Sequence, residues 1–143
     1  MAASCDILIA STMAEMGLPE INVGLLGGAK RTMRLFGHSK VRRMMFTGYR
    51  VKAPELKELG VVECVVPPEE LMNTAMSYAR RMLDMAPREV RNIKQMLYRG
   101  FNMSPLDAQV YGGWLEQNLQ GMKDSVEGPL AFSEKRRPNF VDG

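Results

Sequence analysis

The segment Met16–Gly28, with the sequence MGLPEINVGLLGG, holds one carboxylate between a proline and a pair of glycines. Proline fixes its own φ angle and favours an extended residue before it, so Leu18-Pro19 predicts a defined loop that presents Glu20. The Gly27-Gly28 pair lets the backbone approach a ligand closely, and a helical pattern begins directly after it. This arrangement suits acid–base chemistry on a polarised carbonyl group. A plain turn with a solvated glutamate also explains this local pattern, and it is the commoner structure behind such a pattern.

Length and composition limit the classes of protein that this chain can form. The 143 residues suit one domain with a single core, and 45% hydrophobic with 24% charged residues is typical of a globular domain. No run of about eighteen apolar residues is present, and the N-terminus lacks the basic region of a signal peptide. Two cysteines without metal-ligand spacing and a single histidine predict no metal site, and free thiols in a reducing cytoplasm.

Basic residues are clustered along the chain, although the formal net charge is only +3. The clusters contain Lys30, Arg31, Arg34, Arg42, Arg43, Lys135, Arg136 and Arg137. A solvated surface and a site for a phosphorylated ligand both explain such clusters. Nucleic acid is a weaker interpretation, because the sequence has neither an aromatic RNA-binding strand nor a zinc finger.

Hydrophobic periodicity predicts two short strands, over residues 4–10 and 61–66, among many helices. The helices are expected over residues 29–36, 39–46, 54–60, 68–83, 87–99, 104–119 and 130–135. Ser39 and Ser104 are the expected N-caps of two of them, His38 is expected in a connector, and Pro129 is expected only in a first turn. Because two strands do not form a stable sheet, we expect them to pair with strands outside this sequence.

Ordered motifs along nearly the whole chain resemble the C-terminal half of the enoyl-CoA hydratase/isomerase (crotonase) superfamily. The motifs are ASCDI at 3–7, GLPE at 17–20, VGL at 23–25, GGA at 27–29, MFTG at 45–48, APE at 53–55, LGVV at 59–62 and EKRRP at 134–138. The resemblance implies an α/β fold, in which residues 1–66 form the C-terminal part of a ββα spiral. Residues 67–143 would form a mostly helical region that trimerises and contacts CoA.

The same resemblance assigns roles to individual residues. Glu20 matches the second catalytic glutamate of the hydratases, and Gly28 matches the glycine at a helix start that lines the acyl site. Pro19 and Gly27 beside them are expected to contact the substrate.

Two residues near the C-terminus receive a binding role by the same resemblance. Phe132 and Lys135 match positions that approach the adenosine and phosphates of CoA, often in a neighbouring subunit. The implied substrate is an enoyl-CoA thioester, with coenzyme A as part of the substrate and no separate cofactor. The implied assembly is a homo-oligomer, a trimer or a dimer of trimers.

Departures from the family pattern leave two functions open. The first half of the family, with its oxyanion-hole amides, matches nothing in this sequence, and the first catalytic glutamate would precede Met1. Lys30-Arg31 replaces small residues that commonly follow the glycines. One hypothesis is therefore an acyl-CoA hydratase or isomerase in which Glu20 exchanges a proton with the acyl group. The other is a non-catalytic CoA-binding or oligomerisation module. RNA binding is a third and weaker hypothesis that only the basic clusters support.

Overall fold

Short strands and helices alternate in the first part of the computed structural model, which describes residues 2–142. The chain divides into two units, residues 1–76 and 77–143, and each is described by itself. The elements of the first unit are a 3₁₀ helix Ala2–Ser4, β1 Ile9–Ser11, β2 Glu15–Gly17, a 3₁₀ helix Pro19–Val23, α1 Ala29–Thr32, α2 His38–Thr47, β3 Arg50–Lys52, α3 Ala53–Glu58, β4 Cys64–Val66 and a 3₁₀ helix Pro68–Glu70. Helix α4, Leu71–Leu83, contains the boundary between the units.

The strands form two separate pairs. Strands β1 and β4 are parallel, with Ile9 opposite Cys64, and β2 and β3 are antiparallel, with Glu15 opposite Lys52. The strand predicted over residues 61–66 is confirmed in its last three residues. Of the strand predicted over 4–10 only Ile9 and Ala10 lie in β1, and Ser4 ends a 3₁₀ helix. The amides of Val61 and the residue after it donate to the carbonyl of Leu56, which keeps them at the end of α3 and out of β4. Strands β2 and β3 were not predicted, because three residues are too few to show alternation.

A single apolar cluster forms the core of the first unit. Its most deeply buried large side chains are Met44 on α2, Val51 on β3 and Leu56 on α3, at 1%, 0% and 0% exposure. Burying one such side chain stabilises a fold by about 1.5–3 kcal/mol. Burial of these three side chains therefore holds α2, β3 and α3 together.

The first helices differ in detail from the sequence prediction. Helix α1 ends at Thr32, because the following amides of Arg34 and Leu35 donate three residues back, to Arg31 and Thr32, and form tight turns. Helix α2 starts at His38, so His38 is not in a connector. The residue before the helix, Gly37, is the N-cap and no side chain caps it, so the predicted Ser39 cap is wrong.

The second unit is helical. It contains α5 Pro87–Gly100, α6 Pro105–Gln117 and α7 Lys123–Ser133 after the end of α4. The predicted cap of α6 is confirmed, because Ser104 Oγ accepts a hydrogen bond from the backbone N–H of Asp107 at 3.2 Å. No helix within residues 2–142 is long and apolar enough to cross a membrane.

Helix α7 begins at Lys123, well before the segment 130–135 that it was expected to include, and it ends at Ser133, so Lys135 lies outside it. Pro129 lies inside it, so the prediction that this proline occurs only in a first turn is wrong. An internal proline removes one helical hydrogen bond. The C-terminal tail runs back along this helix, and the carboxylates of Asp124 and Glu127 on α7 accept hydrogen bonds from its backbone amides.

Candidate functional site

Glu20 is the second residue of the 3₁₀ helix Pro19–Val23, which forms directly after β2. Pro19 occupies the first helical position, where a proline fits because its missing N–H is not needed. The helix ends at Gly24, whose φ of 71° is left-handed, and the Leu25 amide donates back to the carbonyl of Glu20 at 2.9 Å. The predicted stiff loop is therefore a helical turn. Pro19 fixes the backbone before Glu20, and the Leu25 amide binds the Glu20 carbonyl.

A close contact between Asn22 and Gly48 anchors this 3₁₀ helix to the end of α2. Gly48 ends α2 with a φ of 64°, and a Cβ built on it would lie 2.8 Å from Oδ1 of Asn22. Only glycine fits both the left-handed backbone and the narrow space beside Asn22. The side chain of Asn22 thus packs against the end of α2, and this contact positions the 3₁₀ helix that carries Glu20.

The Glu20 carboxylate lies against the backbone of Gly27. A Cβ built on Gly27 would be 2.9 Å from both Cδ and Oε2 of Glu20. Oε2 is buried and has no hydrogen-bond partner among the described residues. Buried carboxylate oxygens are normally hydrogen-bonded in native proteins, so an unsatisfied one is free to accept from water or a ligand group, and Oε2 of Glu89 in the second unit is in the same state.

A small cavity of about 110 Å³ adjoins this carboxylate. Apart from Glu20 and Gly27, its lining consists of Leu18, Ile21, Leu25, Leu26, Met45 and Phe46. One carboxylate among apolar walls is the arrangement expected of a site that handles a proton on a carbon skeleton. Met45 and Phe46 received no role from the sequence, although the MFTG motif at 45–48 was recognised. That motif was the only signal that the sequence offered for these two residues, and in the structure Phe46 is 74% exposed.

Gly28 differs from Gly27 in its surroundings. Its carbonyl accepts hydrogen bonds from the Thr32 amide at 3.3 Å and the Thr32 hydroxyl at 3.1 Å. A Cβ on Gly28 would meet no atom of the described residues within 4 Å. Helix α1 has only four residues, so the amide-rich helix start expected after the glycines lacks a developed dipole. The catalytic role of Gly28 and the substrate contact of Pro19 stay predictions.

Phe132 and Lys135 lie near the end of α7, in the second unit, whereas Glu20, Gly27 and Gly28 belong to the first. Phe132 is 86% exposed. Lys135 has a φ of 54° and is the non-glycine residue with a left-handed backbone in residues 2–142. It turns the chain back along α7, and the predicted CoA contacts of both residues stay predictions.

One member of the C-terminal basic cluster has a structural partner. Arg136 binds the Glu127 carboxylate through two hydrogen bonds, of 2.5 and 2.8 Å, and the Asn139 amide donates to the same carboxylate at 2.7 Å. The Arg136 guanidinium, followed by the Asn139 amide, lowers the pKa of Glu127 to about 2. The paired carboxylates of Glu127 and Glu134 raise the pKa of Arg136 in turn. This arginine holds the tail in place.

A second polar cluster joins α2 to the start of α3. The Tyr49 hydroxyl donates to Oε2 of Glu55 at 2.7 Å, Lys40 pairs with Oε1 of the same carboxylate, and the Arg43 guanidinium lies 3.6 Å from the centre of the Tyr49 ring. Hydrogen bonds from Lys40 and then Tyr49 lower the pKa of Glu55, and the carboxylate raises the pKa of Tyr49. Arg43 is thus engaged with an aromatic ring, which favours the structural interpretation of this basic residue.

Comparison with known proteins identifies the family. The model of the family described as enoyl-CoA hydratase/isomerase matches residues 1–143. The chain belongs to this family. The short-chain-enoyl-CoA hydratase of Clostridium acetobutylicum is 36% identical over 140 residues, which cover 96% of the chain and 54% of the relative. A probable enoyl-CoA hydratase of Mycobacterium bovis is 34% identical over 144 residues, which cover 99% of the chain and 56% of the relative.

Solved structures of the same family share the fold. The crystal structure of an enoyl-CoA hydratase subunit I from Geobacillus kaustophilus superposes with a TM-score of 0.93 at 33% identity, over 99% of this chain and 56% of that one. The structure of an enoyl-CoA hydratase from Bacillus anthracis superposes with a TM-score of 0.91 at 31% identity, over 96% of this chain and 55% of that one. The expected superfamily and α/β fold are confirmed. The chain spans about half the length of the relatives it matches, and its assignment to their C-terminal half stays a prediction.

Proposed function

We propose that this chain takes part in acid–base chemistry on an enoyl-CoA thioester, with Glu20 as the group that holds and moves the proton. The unsatisfied, buried Oε2 of Glu20 beside a small apolar cavity is the observation that carries the proposal. Relatives at 34–36% identity that are named enoyl-CoA hydratases support the substrate class.

Hydration of an enoyl thioester forms a C–O bond at the β carbon and a C–H bond at the α carbon. In its protonated form, Glu20 delivers a proton to the α carbon, and it regains one from the water that adds. In an isomerisation the same carboxylate would carry the proton between two carbons. A positioned acid–base group of this kind contributes about 10²–10⁴-fold to a rate.

The walls of the cavity suit this chemistry. Leu18, Met45 and Phe46 offer hydrocarbon surface to the acyl carbons, and they leave the Glu20 carboxylate as the polar group beside those carbons. Developing charge on the thioester oxygen requires hydrogen-bond donors in addition, which typically supply several kcal/mol of barrier lowering. The family supplies such donors from its first half, so we propose that the chain forms the C-terminal part of the family fold.

A matching proposal concerns assembly. We propose that residues 1–66 belong to the spiral core, and that residues 67–143 form homo-oligomers, a trimer or dimer of trimers, and contact CoA through Phe132 and Lys135. Large apolar side chains on α5 and α6 support this, because Leu97, Val110 and Trp114 are 66%, 66% and 54% exposed. Light scattering coupled to gel filtration tests the assembly, and a monomer at micromolar concentration would contradict it.

Replacement of a single carboxylate tests the catalytic proposal. We expect the chain to hydrate crotonyl-CoA slowly but above the buffer rate, and we expect Glu20→Gln to remove that activity. Glu58→Gln, the same chemical change at an exposed glutamate that ends α3, is the matched control and should leave the rate unchanged. Equal rates for the Glu20→Gln variant and the unmodified chain contradict the proposal. If both remain at the buffer rate while crotonyl-CoA still binds in calorimetry, the non-catalytic module replaces it.

A further inference from the structure

The two adjacent glycines of the site meet very different surroundings. A Cβ on Gly27 would lie 2.9 Å from two atoms of the Glu20 carboxyl group and 3.3 Å from Oε1, whereas a Cβ on Gly28 would meet nothing within 4 Å. Real Cβ atoms essentially never approach other atoms as closely as 2.9 Å. A side chain at residue 27 is therefore incompatible with the present position of the Glu20 carboxylate.

Space is the reason for glycine at residue 27. Gly24 and Gly48 have left-handed φ angles that favour glycine, but the φ of Gly27 lies outside that region. An alanine would therefore suit the Gly27 backbone. What it would disturb is the Glu20 carboxylate, which lies where the added methyl group would go.

Hydrogen bonds restrain the backbone around Gly27, so the loop cannot easily move away from such a methyl group. The Leu25 amide donates to the carbonyl of Glu20 at 2.9 Å, and the Ala29 amide donates to the carbonyl of Gly27 at 2.9 Å. Thr32 holds the carbonyl of Gly28 through its amide and its hydroxyl. The loop backbone is thus bonded on both sides of Gly27, and the flexible end of the Glu20 side chain is the part that can move.

We propose that Gly27 is a positioning residue: its missing side chain sets where the Glu20 carboxylate lies, and so which way the buried Oε2 is presented to the cavity. Gly27 then acts on the reaction through Glu20, and its expected contact with the substrate stays a prediction. The catalytic consequence rests on the function proposed above, whereas the position of the carboxylate does not.

Carboxyl ¹³C NMR on chain labelled with ¹³C-glutamate tests the position directly. Glu20→Gln assigns the Glu20 signal by its disappearance. We expect Gly27→Ala to shift that signal at constant pH, and we expect Gly37→Ala to leave it in place. Gly37 is a matched control because its φ of −62° accepts alanine and a Cβ there meets no described atom within 4 Å. An unchanged Glu20 signal in folded Gly27→Ala protein overturns the proposal.

A double-mutant cycle on stability provides a second measurement. Glu20→Ala removes the atoms with which a Cβ at residue 27 collides. Alanine at a compatible backbone position stabilises a chain by itself, so Gly27→Ala should raise the urea midpoint in the Glu20→Ala background and raise it less, or lower it, in the unmodified chain. Equal changes in both backgrounds would mean that Gly27 acts independently of Glu20, and the proposal would be wrong.

Kinetics then show whether the position matters for the reaction. We expect Gly27→Ala to reduce kcat for crotonyl-CoA about 10-fold or more with KM within about 2-fold, since a displacement of about 1 Å can reduce a rate about 10²-fold. The Glu20→Gln and Gly27→Ala double variant should be no slower than Glu20→Gln. A chain without hydration activity contradicts the proposed function, and the Glu20 carboxyl signal still decides the role of Gly27.

Discussion

Arg136 and Glu127 form a bidentate ion pair, with hydrogen bonds of 2.5 and 2.8 Å, that holds the C-terminal tail against α7. Glu127 faces the tail one helical turn after Asp124, whose buried carboxylate accepts the amides of Val141 and Asp142 at 2.7 and 3.0 Å. Two carboxylates three residues apart on one helix thus hold the tail along its length.

The Glu127 pair makes the stability of the second unit dependent on pH. The pKa of Glu127 is about 2 in the folded chain, against 4.5 for a free glutamate. A lowered folded-state pKa contributes stability that is complete above pH 4.5 and lost as the pH falls toward 2. We expect Glu127→Gln to be less stable than the unmodified chain at pH 7, and the difference to disappear near pH 2.

Urea unfolding followed by circular dichroism from pH 2 to 7 measures this difference. Glu116→Gln, at an exposed position of α6, is the control and should show no such pH dependence. A Glu127→Gln deficit that stays constant across this range would contradict the assignment of the effect to ionised Glu127.

Asp124 contributes to the stability of the tail through its own hydrogen bonds, and its side chain is buried, at 2% exposure. Asp124→Ala removes the acceptor of the Val141 and Asp142 amides, and each such hydrogen bond contributes about 0.5–1.5 kcal/mol to stability. We expect faster hydrogen exchange in residues 136–142 and a lower urea midpoint. Exposed Asp84→Ala is the control, and equal effects of the two substitutions would refute this role of Asp124.

Gly48 should be intolerant of a side chain. Its φ of 64° and the distance of only 2.8 Å between an added Cβ and Oδ1 of Asn22 act together. The left-handed backbone alone costs a non-glycine residue about 1–2 kcal/mol. We expect Gly48→Ala to lose at least this free energy of unfolding, measured by urea, whereas Gly37→Ala, at an N-cap that disfavours alanine, should lose less, about 0.5–1 kcal/mol. A stable Gly48→Ala variant would show that α2 does not seat the Glu20 helix through this contact.

Ser104 and Ser39 were both predicted as helix N-caps, but only Ser104 caps a helix in the structure. Ser104 accepts the Asp107 amide, so Ser104→Ala should destabilise the chain by about 1 kcal/mol. Ser39 lies inside α2 and caps nothing, so Ser39→Ala should leave the stability unchanged. Thermal unfolding of both variants under one condition compares them. A loss at Ser39 equal to that at Ser104 would contradict the helix start at His38.

Local signals along the chain predicted a large part of this fold. The apolar stripes of α4, α5 and α6 and the cap at Ser104 are properties of neighbouring residues, so they can be read from spacing alone. Helix α7 was not recognised at its full length because Pro129 is a helix breaker by local rules. Asp124 and Glu127 on this helix bind the tail through hydrogen bonds that join residues 12 to 18 positions apart, and no local pattern reveals such bonds.

The sequence by itself determined the family, the helical second part of the chain and the choice of Glu20, because motifs and periodicity depend on residues close together in the chain. Only the tertiary structure decided what surrounds Glu20. The contact with Gly27, the lining by Met45 and Phe46, and the β2–β3 pair depend on how the core orients α2 and the 3₁₀ helix that carries Glu20. Packing sets distances between side chains that are remote in sequence, and no local pattern specifies them.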